Sequence, residues 1–456
     1  MKIAIVGAGV AGSYLLNRLD GHQVECFEMR PQDKWYTVCA WGTSEPYITE
    51  MVKKAGFNFS DYVLHRGTKM TVDSGHGTFD LPLRGMVSYD KHRLCEDMLK
   101  GHTVHWGTQV RQLDGKFEDF DLVVDATGMQ RALLPRVKDD ILVPCVEYQV
   151  KSKNFPWDDF YIKPYPGLSG YLWFFPLWDG VAHIGAGEIH GGYKGEIEAM
   201  LKKYDCEVIR KIGRPVRIVP PSMCGPFYVL GRCKKCGRQL RRIGTPNRGK
   251  NIKGKEAEDS GGNSDPSASI SLTNSGANVT SAEAAISSNF TTRDTEPISR
   301  DTRTIETPGP LIGKQSTKQI GIPHGSRLSV APVISKSRGY STPQSKGESY
   351  CNCQDPMPDR PTVVGVGESI GTVFPMLGEG IIPSMQCAEI LIKNIDDMGA
   401  YTAEVLKHTE VYTKGFRFVM SKIEGRFSLM SSFPRLSSVY LYMRGNEKRF
   451  GMKTRL

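Results

Sequence analysis

Lys2-Ile-Ala-Ile-Val6-Gly7-Ala-Gly9-Val-Ala-Gly12 decides the fold. Lys2 to Val6 is a short, β-branched apolar run of the kind buried on both faces of a parallel sheet. Glycines follow it at once, and Val10, Tyr14, Leu15 and Leu19 then recur at helical spacing. Gln23-Val-Glu-Cys-Phe-Glu28 reads as the next strand, so the segment predicts a strand–helix–strand unit. Gly7 permits the tight turn, Gly9 lets backbone N–H groups approach a pyrophosphate, and Gly12 lets the helix pack closely on the strand. The helix N-terminus adds partial positive charge. Glu28, twenty-one residues after Gly7, can accept hydrogen bonds from a ribose diol. With strand, helix and acid in register, the stretch predicts a dinucleotide site.

Outward from this unit, Leu122-Val-Val-Asp-Ala126 ends at Thr127-Gly128, and Thr362-Val-Val-Gly-Val366 is followed by a helix over about 380–395. The alternation predicts an α/β fold, a Rossmann-like doubly wound sheet. Residues 142–219 show strand-like alternation, turn signals and many aromatics, which predicts a second, sheet-rich domain. The expected organisation is a dinucleotide domain from 1–145 and 361–397, with part of the second layer near 60–88. A sheet-rich substrate domain at 146–231 and a helical region at 398–456 complete the core. Residues 232–360 are rich in Ser, Thr, Gly, Asn and Pro and nearly devoid of large apolar side chains, so they read as a disordered insertion that cannot offset its ordering entropy.

Composition narrows the class. No stretch of about 18 uncharged apolar residues occurs: the richest run, Tyr171 to Gly187, is interrupted by Pro176, Asp179 and His183, so a transmembrane anchor is not expected. The N-terminal apolar run lacks a small-residue cleavage site and reads as a strand rather than a signal peptide. Seven of the eleven cysteines are scattered without pairing logic, which suits a reducing, cytoplasmic setting. Net charge is +10, of which 20 − 12 = +8 lies between Arg232 and Arg360; the rest of the chain gives no basic footprint for a nucleic-acid partner.

The choice between NAD and FAD turns on the distant strand. Glu368 just after it can hold a ribityl hydroxyl, and Gly378-Glu-Gly380-Ile381 opens a helix whose N-terminal N–H groups can face the pyrimidine edge of an isoalloxazine. FAD is the expected cofactor.

These residues resemble the geranylgeranyl reductase family of FAD-dependent oxidoreductases, over roughly residues 1–230 and 361–395. The resemblance is carried by the glycine turn with Glu28, by Thr37-Val-Cys39-Ala-Trp-Gly-Thr-Ser44, and by Tyr89-Asp-Lys-His-Arg93. Asp125-Ala-Thr-Gly128, Gly170-Tyr-Leu-Trp-Phe-Phe-Pro176 with Ile184-Gly-Ala-Gly187, and the 378–381 loop carry it further. The Tyr-x-Trp-x-Phe-Pro stretch is its most specific part. Two departures are Gly367-Glu368 where the family shows Gly-Asp, and Cys39-Ala40 where it shows Cys-Gly. The resemblance implies FAD contacts at Gly7, Gly9, Gly12, Glu28, Arg93, Gly128, Glu368, Gly378, Gly380 and Ile381. It also implies a substrate-positioning or proton-donating role for Cys39.

Tyr171, Trp173 and Phe175 alternate along a strand, so their rings share one face; alone this suits core packing or a lipid wall, and the resemblance favours the wall, with Tyr165 a further member. The implied reaction is hydride transfer from reduced flavin to C=C bonds of geranylgeranyl chains, those of archaeal-type ether lipids or their precursors. An external donor, NAD(P)H or ferredoxin, would supply electrons, and the enzyme would work from the cytoplasm at the inner membrane face. Two alternatives stand beside it: a flavin monooxygenase or halogenase on the same fold, and a flavoprotein scaffold whose basic insertion contacts RNA or protein. His183 reads as a satisfied core or surface histidine. Cys233-Lys-Lys-Cys236 and Cys351-Asn-Cys353 bracket the insertion; they read as zinc ligands clipping its neck, or as free thiols or a redox pair.

Overall fold

The structure is a computed structural model that describes residues 1–37, 39–236, 238, 353, 359–445 and 451. The expected disorder of the insertion and Cys351 lie outside the described residues.

A six-stranded sheet carries the glycine turn. Its order is Tyr228–Val229, Thr362–Gly365, Leu122–Asp125, Lys2–Val6, Gln23–Phe27, Thr103–His105. All pairs are parallel except the Tyr228–Val229 edge. Ile3 and Ile5 pack on one side with Tyr14, Leu15 and the Ile381–Lys393 helix, while Ala4, Val6 and Val123 meet Phe117 and Phe120 on the other. Burial on both faces is what the β-branched runs demanded. Four neighbouring strands end at Gly7, Glu28, Ala126-Thr-Gly128 and Gly367-Glu368, so all four segments gather at the carboxyl edge, where doubly wound sheets bind ligands.

The second sheet has seven strands: Glu207–Gly213, Cys145–Lys151, Val181–Glu188, Gly170–Trp178, Phe160–Pro164, Lys69–Asp73 and Thr78–Pro82. Pairing is antiparallel except between Phe160–Pro164 and Lys69–Asp73. Its strands come from 69–82 and 145–213, whereas Tyr228–Val229 rejoins the first sheet; the sheet-rich unit therefore ends before the expected 231. The register sets two faces. Glu147 pairs with Gly185, Gly185 with Trp173, and Trp173 with Ile162, so these four share one face. Tyr148, Ile184, Phe174 and Tyr161 share the other, and the Lys194–Lys203 helix covers it with Ile197 and Met200.

A small sheet, Gly42–Ser44, Met86–Tyr89 and Val63–Arg66, bridges from the Cys39 segment. Helices Met398–His408, Glu410–Ile423 and Leu429–Gly445 follow the core. Among the described residues no helix is long and apolar enough to cross a membrane.

Candidate functional site

A cavity of about 810 Å³ runs between the carboxyl edge of the parallel sheet and the Glu147–Trp173 face of the seven-stranded sheet. That is within the range of cofactor and ligand pockets. At the nucleotide end Gly7 has φ +104°, and a Cβ there would meet the Ala126 carbonyl oxygen at 2.6 Å. A Cβ on Gly12 would meet the Gly7 carbonyl oxygen at 1.9 Å, so helix and strand are in direct contact. Around Gly9 nothing lies within 4 Å of that position, and the residue lines the cavity. The first and third glycines are thus required by packing, while the second leaves open space.

Two helices begin at this cavity. Val10–Arg18 starts after Gly9 and Ile381–Lys393 after Gly380, and neither N-terminus has a side-chain cap. Gly9, Val10, Gly380 and Ile381 all line the volume, so two sets of orphan N–H groups and two positive dipole ends face it. Uncapped donors, an open glycine and a cavity of this size fit a dinucleotide with a pyrophosphate, and the second helix fits an anionic ring edge. Glu28 lines the same space; its carboxylate accepts from the Ala8 N–H at 2.9 Å and the Arg30 N–H at 3.0 Å. Gly378, with φ +64°, and Tyr171, whose hydroxyl donates to the Leu377 carbonyl at 2.7 Å, hold the loop against the second sheet.

The Gly128 and Glu368 loops are tied together by buried arginines. Arg217 pairs with Asp140 at 2.8 Å through both Nε and Nη2, donates from Nη2 to the Met129 carbonyl and from Nη1 to the Glu368 carbonyl. Its backbone N–H donates to the Glu368 carboxylate at 2.9 Å. Arg131, in a left-handed conformation with φ 45°, donates to the carbonyls of Pro135, Ser369 and Pro226. Asp125 accepts the Thr127, Leu133 and Leu134 N–H groups and so shapes the turn into Gly128.

The opposite wall holds Tyr171, Trp173 and Phe175 with Met70, Met86 and Ile162. Glycines make room for it: a Cβ on Gly185 would lie 2.3 Å from the Trp173 indole, and one on Gly42 would lie 2.4 Å from the Phe175 ring. Cys39 and Glu147 line the same cavity and touch through the Cys39 backbone N–H. Glu147 is almost fully buried. Burial pushes its carboxyl up to about 7, although the buried Lys91 ammonium, a Cys39 backbone N–H and Arg210 pull it down. Among the described residues its Oε2 has no hydrogen-bond partner. The Nδ1 of His183 lies 3.9 Å away on the adjacent strand. His183 is completely buried against Trp41, with the Ala40 backbone as a weak polar contact and no hydrogen bond of ordinary geometry to either ring nitrogen among the described residues. Burial lowers its pKa to about 3, which keeps the ring neutral.

Most predicted residues gather here: Gly7, Gly9, Glu28, Gly128, Glu368, Gly378, Gly380, Ile381, Cys39, Tyr171, Trp173 and Phe175 line the cavity, with Gly12 directly behind the turn. Three expectations are corrected. Arg93 is exposed, lies over the Tyr62 ring and donates to the Asp61 carbonyl; Lys91 of the same helix lines the cavity instead, because residues two apart on a helix point about 200° apart. Tyr165 faces away, among Tyr161 and Tyr148, because Ile162 and Pro164 take the cavity parity of that strand. His183 is buried but not satisfied. Glu147 and Lys91 went unread in the sequence; the alternation Val146-Glu147-Tyr148-Gln149-Val150 was the available signal.

No protein-family model matches the chain. An uncharacterised protein of Methanocaldococcus jannaschii is 24% identical over 241 residues, 45% of this chain and 64% of that protein, so the match spans less than two thirds of that relative. A geranylgeranyl bacteriochlorophyll reductase-like protein from Thermoplasma acidophilum superposes with a TM-score of 0.52 at 10% identity, over 92% of this chain and 87% of that one. The myxobacterial chondrochloren halogenase CndH, a variant of FAD-dependent halogenases, gives a TM-score of 0.37 at 14% identity, over 48% of this chain and 65% of that one. What the chain shares with the reductase-like protein is the fold, a parallel α/β sheet joined to a second, sheet-rich layer, as the motifs led one to expect.

Proposed function

We propose that this chain is an FAD-dependent oxidoreductase that saturates C=C bonds of geranylgeranyl chains, in ether lipids or their precursors, using electrons from NAD(P)H or a ferredoxin. One observation carries the reading. A single cavity is bounded by the open glycine turn with two uncapped helix N-termini, by a buried carboxyl poised near neutrality, and by a wall of Tyr171, Trp173 and Phe175. The fold shared with the reductase-like protein supports it.

Gly7, Gly9, Glu28, Gly128, Glu368 and the 378–381 loop would hold the cofactor, which when bound and reduced supplies a hydride equivalent. The chain supplies position, dryness and a proton. An unactivated alkene develops little charge before protonation, so alignment and water exclusion dominate, and a rigid aromatic wall provides both. The proton is held on Glu147: with its carboxyl raised to about 7, roughly half is protonated at neutral pH, whereas an ordinary glutamate is not. Oε2, which makes no hydrogen bond among the described residues, is the oxygen available to release it, while the Cys39 N–H orients the group. Cys39 positions the substrate chain beside it. Access from the cytoplasmic membrane face belongs to the same proposal, since the substrate is a lipid.

The test is to purify the protein, record its visible spectrum, and supply dithionite and a geranylgeranyl lipid without oxygen. A yellow protein and products heavier by hydrogen pairs are expected. A colourless protein that takes up no FAD, or an enzyme that consumes oxygen with NAD(P)H and leaves the double bonds intact, would overturn the reading; the second result would mark a monooxygenase or halogenase.

A further inference from the structure

The insertion leaves the core beside the point where it returns, and three cysteines meet there. We propose that Cys233, Cys236 and Cys353 bind a zinc ion that clips the neck of the 239–352 segment. Their sulfurs all lie within 4.8 Å of one another, although Cys353 follows Cys233 by 353 − 233 = 120 residues. Tetrahedral zinc with bonds of about 2.3 Å sets its sulfurs about 3.8 Å apart, so the cluster needs only a contraction of roughly 1 Å to close on the ion.

The surroundings suit a metal. Cys233 is 1% exposed while Cys236 is open to solvent, which gives the site a fixed base and an entry side. Cys233 and Cys236 come from one turn, whose ends are joined where the Cys233 N–H donates to the Arg238 carbonyl at 2.9 Å. The third sulfur is brought in by the neck itself. The Arg232 N–H donates to Asp359 Oδ1 at 2.6 Å, the Asp359 N–H donates to the Arg232 carbonyl at 2.7 Å, and a Cβ on Gly231 would lie 2.3 Å from the Arg360 carbonyl oxygen. Three thiolates around Zn²⁺ carry a net charge of −3 + 2 = −1, and Lys234, Lys235 and Arg238 lie within the same turn to offset it. Soft thiolates favour zinc over hard cations, and binding releases the thiol protons to solvent. A clip at this neck fixes the ends beside the paired Tyr228–Val229 and Thr362–Gly365 strands, the second of which leads to the Glu368 loop.

Zinc per chain is measured by mass spectrometry on the full-length protein purified without chelators, alongside Cys233→Ser, Cys353→Ser and Cys206→Ser. One zinc per chain is expected in the unaltered protein and in Cys206→Ser, falling at least about tenfold in the other two. Should the serine variants fail to fold, a mercurial titration of the unaltered protein replaces them: zinc should leave in step with thiol modification, and cobalt exchanged into the site should show intense thiolate charge-transfer bands. No zinc after incubation with the ion and desalting, a disulfide among the three cysteines in freshly purified protein, or zinc kept by both variants would overturn the proposal. Flavin content is read on the same samples, so failure of the clip is distinguished from failure of the proposed oxidoreductase.

Discussion

The two faces of the seven-stranded sheet are both aromatic, yet they differ in what covers them. Tyr148, Tyr161 and Phe174 are sealed by the Lys194–Lys203 helix, with Trp157 stacked on Tyr161 at 4.1 Å between ring centroids. Tyr171, Trp173 and Phe175, one residue out of phase on the same strand, instead line the cavity, which Val419 and Ile423 of the Glu410–Ile423 helix also line. The covered face is mainly aromatic and apolar contact, with the Tyr161 hydroxyl donating to Asp73 at 3.0 Å and the Tyr165 hydroxyl lacking a partner among the described residues. The open one carries Glu147, His183 and the Trp173 indole N–H, each with a polar atom lacking a partner among the described residues. A folded core pairs its buried polar groups, so three such residues on the open face against Tyr165 alone on the covered one mark work other than packing.

That contrast can be broken by substitution. The largest expected effect is on the open face: Glu147→Gln should keep flavin and fold but slow prenyl reduction by about 10²–10⁴-fold, the usual contribution of a positioned acid. Unaltered enzyme should lose rate as pH rises through about 7, where the Glu147 proton leaves, and the variant should lose that inflection; initial rates across pH check both. Next come the neighbours Trp173 and Phe174. Phe174→Ala empties a closed core and should cost about 3–5 kcal/mol in denaturant unfolding. Trp173→Ala should cost less stability and instead raise KM for long prenyl chains; equal stability losses would erase the distinction between the faces. Gly185→Ala should follow with a loss of about 1–3 kcal/mol and a displaced indole, seen in tryptophan fluorescence, because its Cβ has no room beside Trp173.

The smallest effect is in the pH dependence of stability. Glu147 has a raised folded pKa, so its neutral form contributes stability that is full below about 4.5 and lost as pH rises through about 7. His183 has a lowered one, so its contribution is present above 6.5 and lost as pH falls towards about 3. Thermal unfolding of Glu147→Gln should lack the first decline, and of His183→Leu the second.

How far these faces were legible in advance follows from how local each signal is. Gly7, Gly9 and Gly12 answer to neighbours within one turn and one strand, so their spacing is readable. Glu368 is readable because it closely follows a strand end, and the 378–381 loop because it opens a helix. Glu147 is not, because its alternation with Tyr148 looks the same whether the polar side meets water or a cavity; only the Tyr36–Trp41 segment folding over it makes that side interior. Arg93 and Tyr165 fail through phase. Each motif places the right element, but one residue's shift on a strand or two on a helix reverses the direction, and the neighbouring element that settles it is far away in sequence.

The most direct test of the central claim is a single turnover. Protein with its flavin reduced is mixed without oxygen with a geranylgeranyl lipid, and flavin reoxidation is followed by absorbance from pH 6 to about 8.5, across the Glu147 range. Reoxidation matched by saturated product is expected, slowing as pH rises through about 7 and slowed at every pH in Glu147→Gln. Reduced flavin that stays reduced in the presence of the lipid, or reoxidation at the same rate in Glu147→Gln, would contradict the claim.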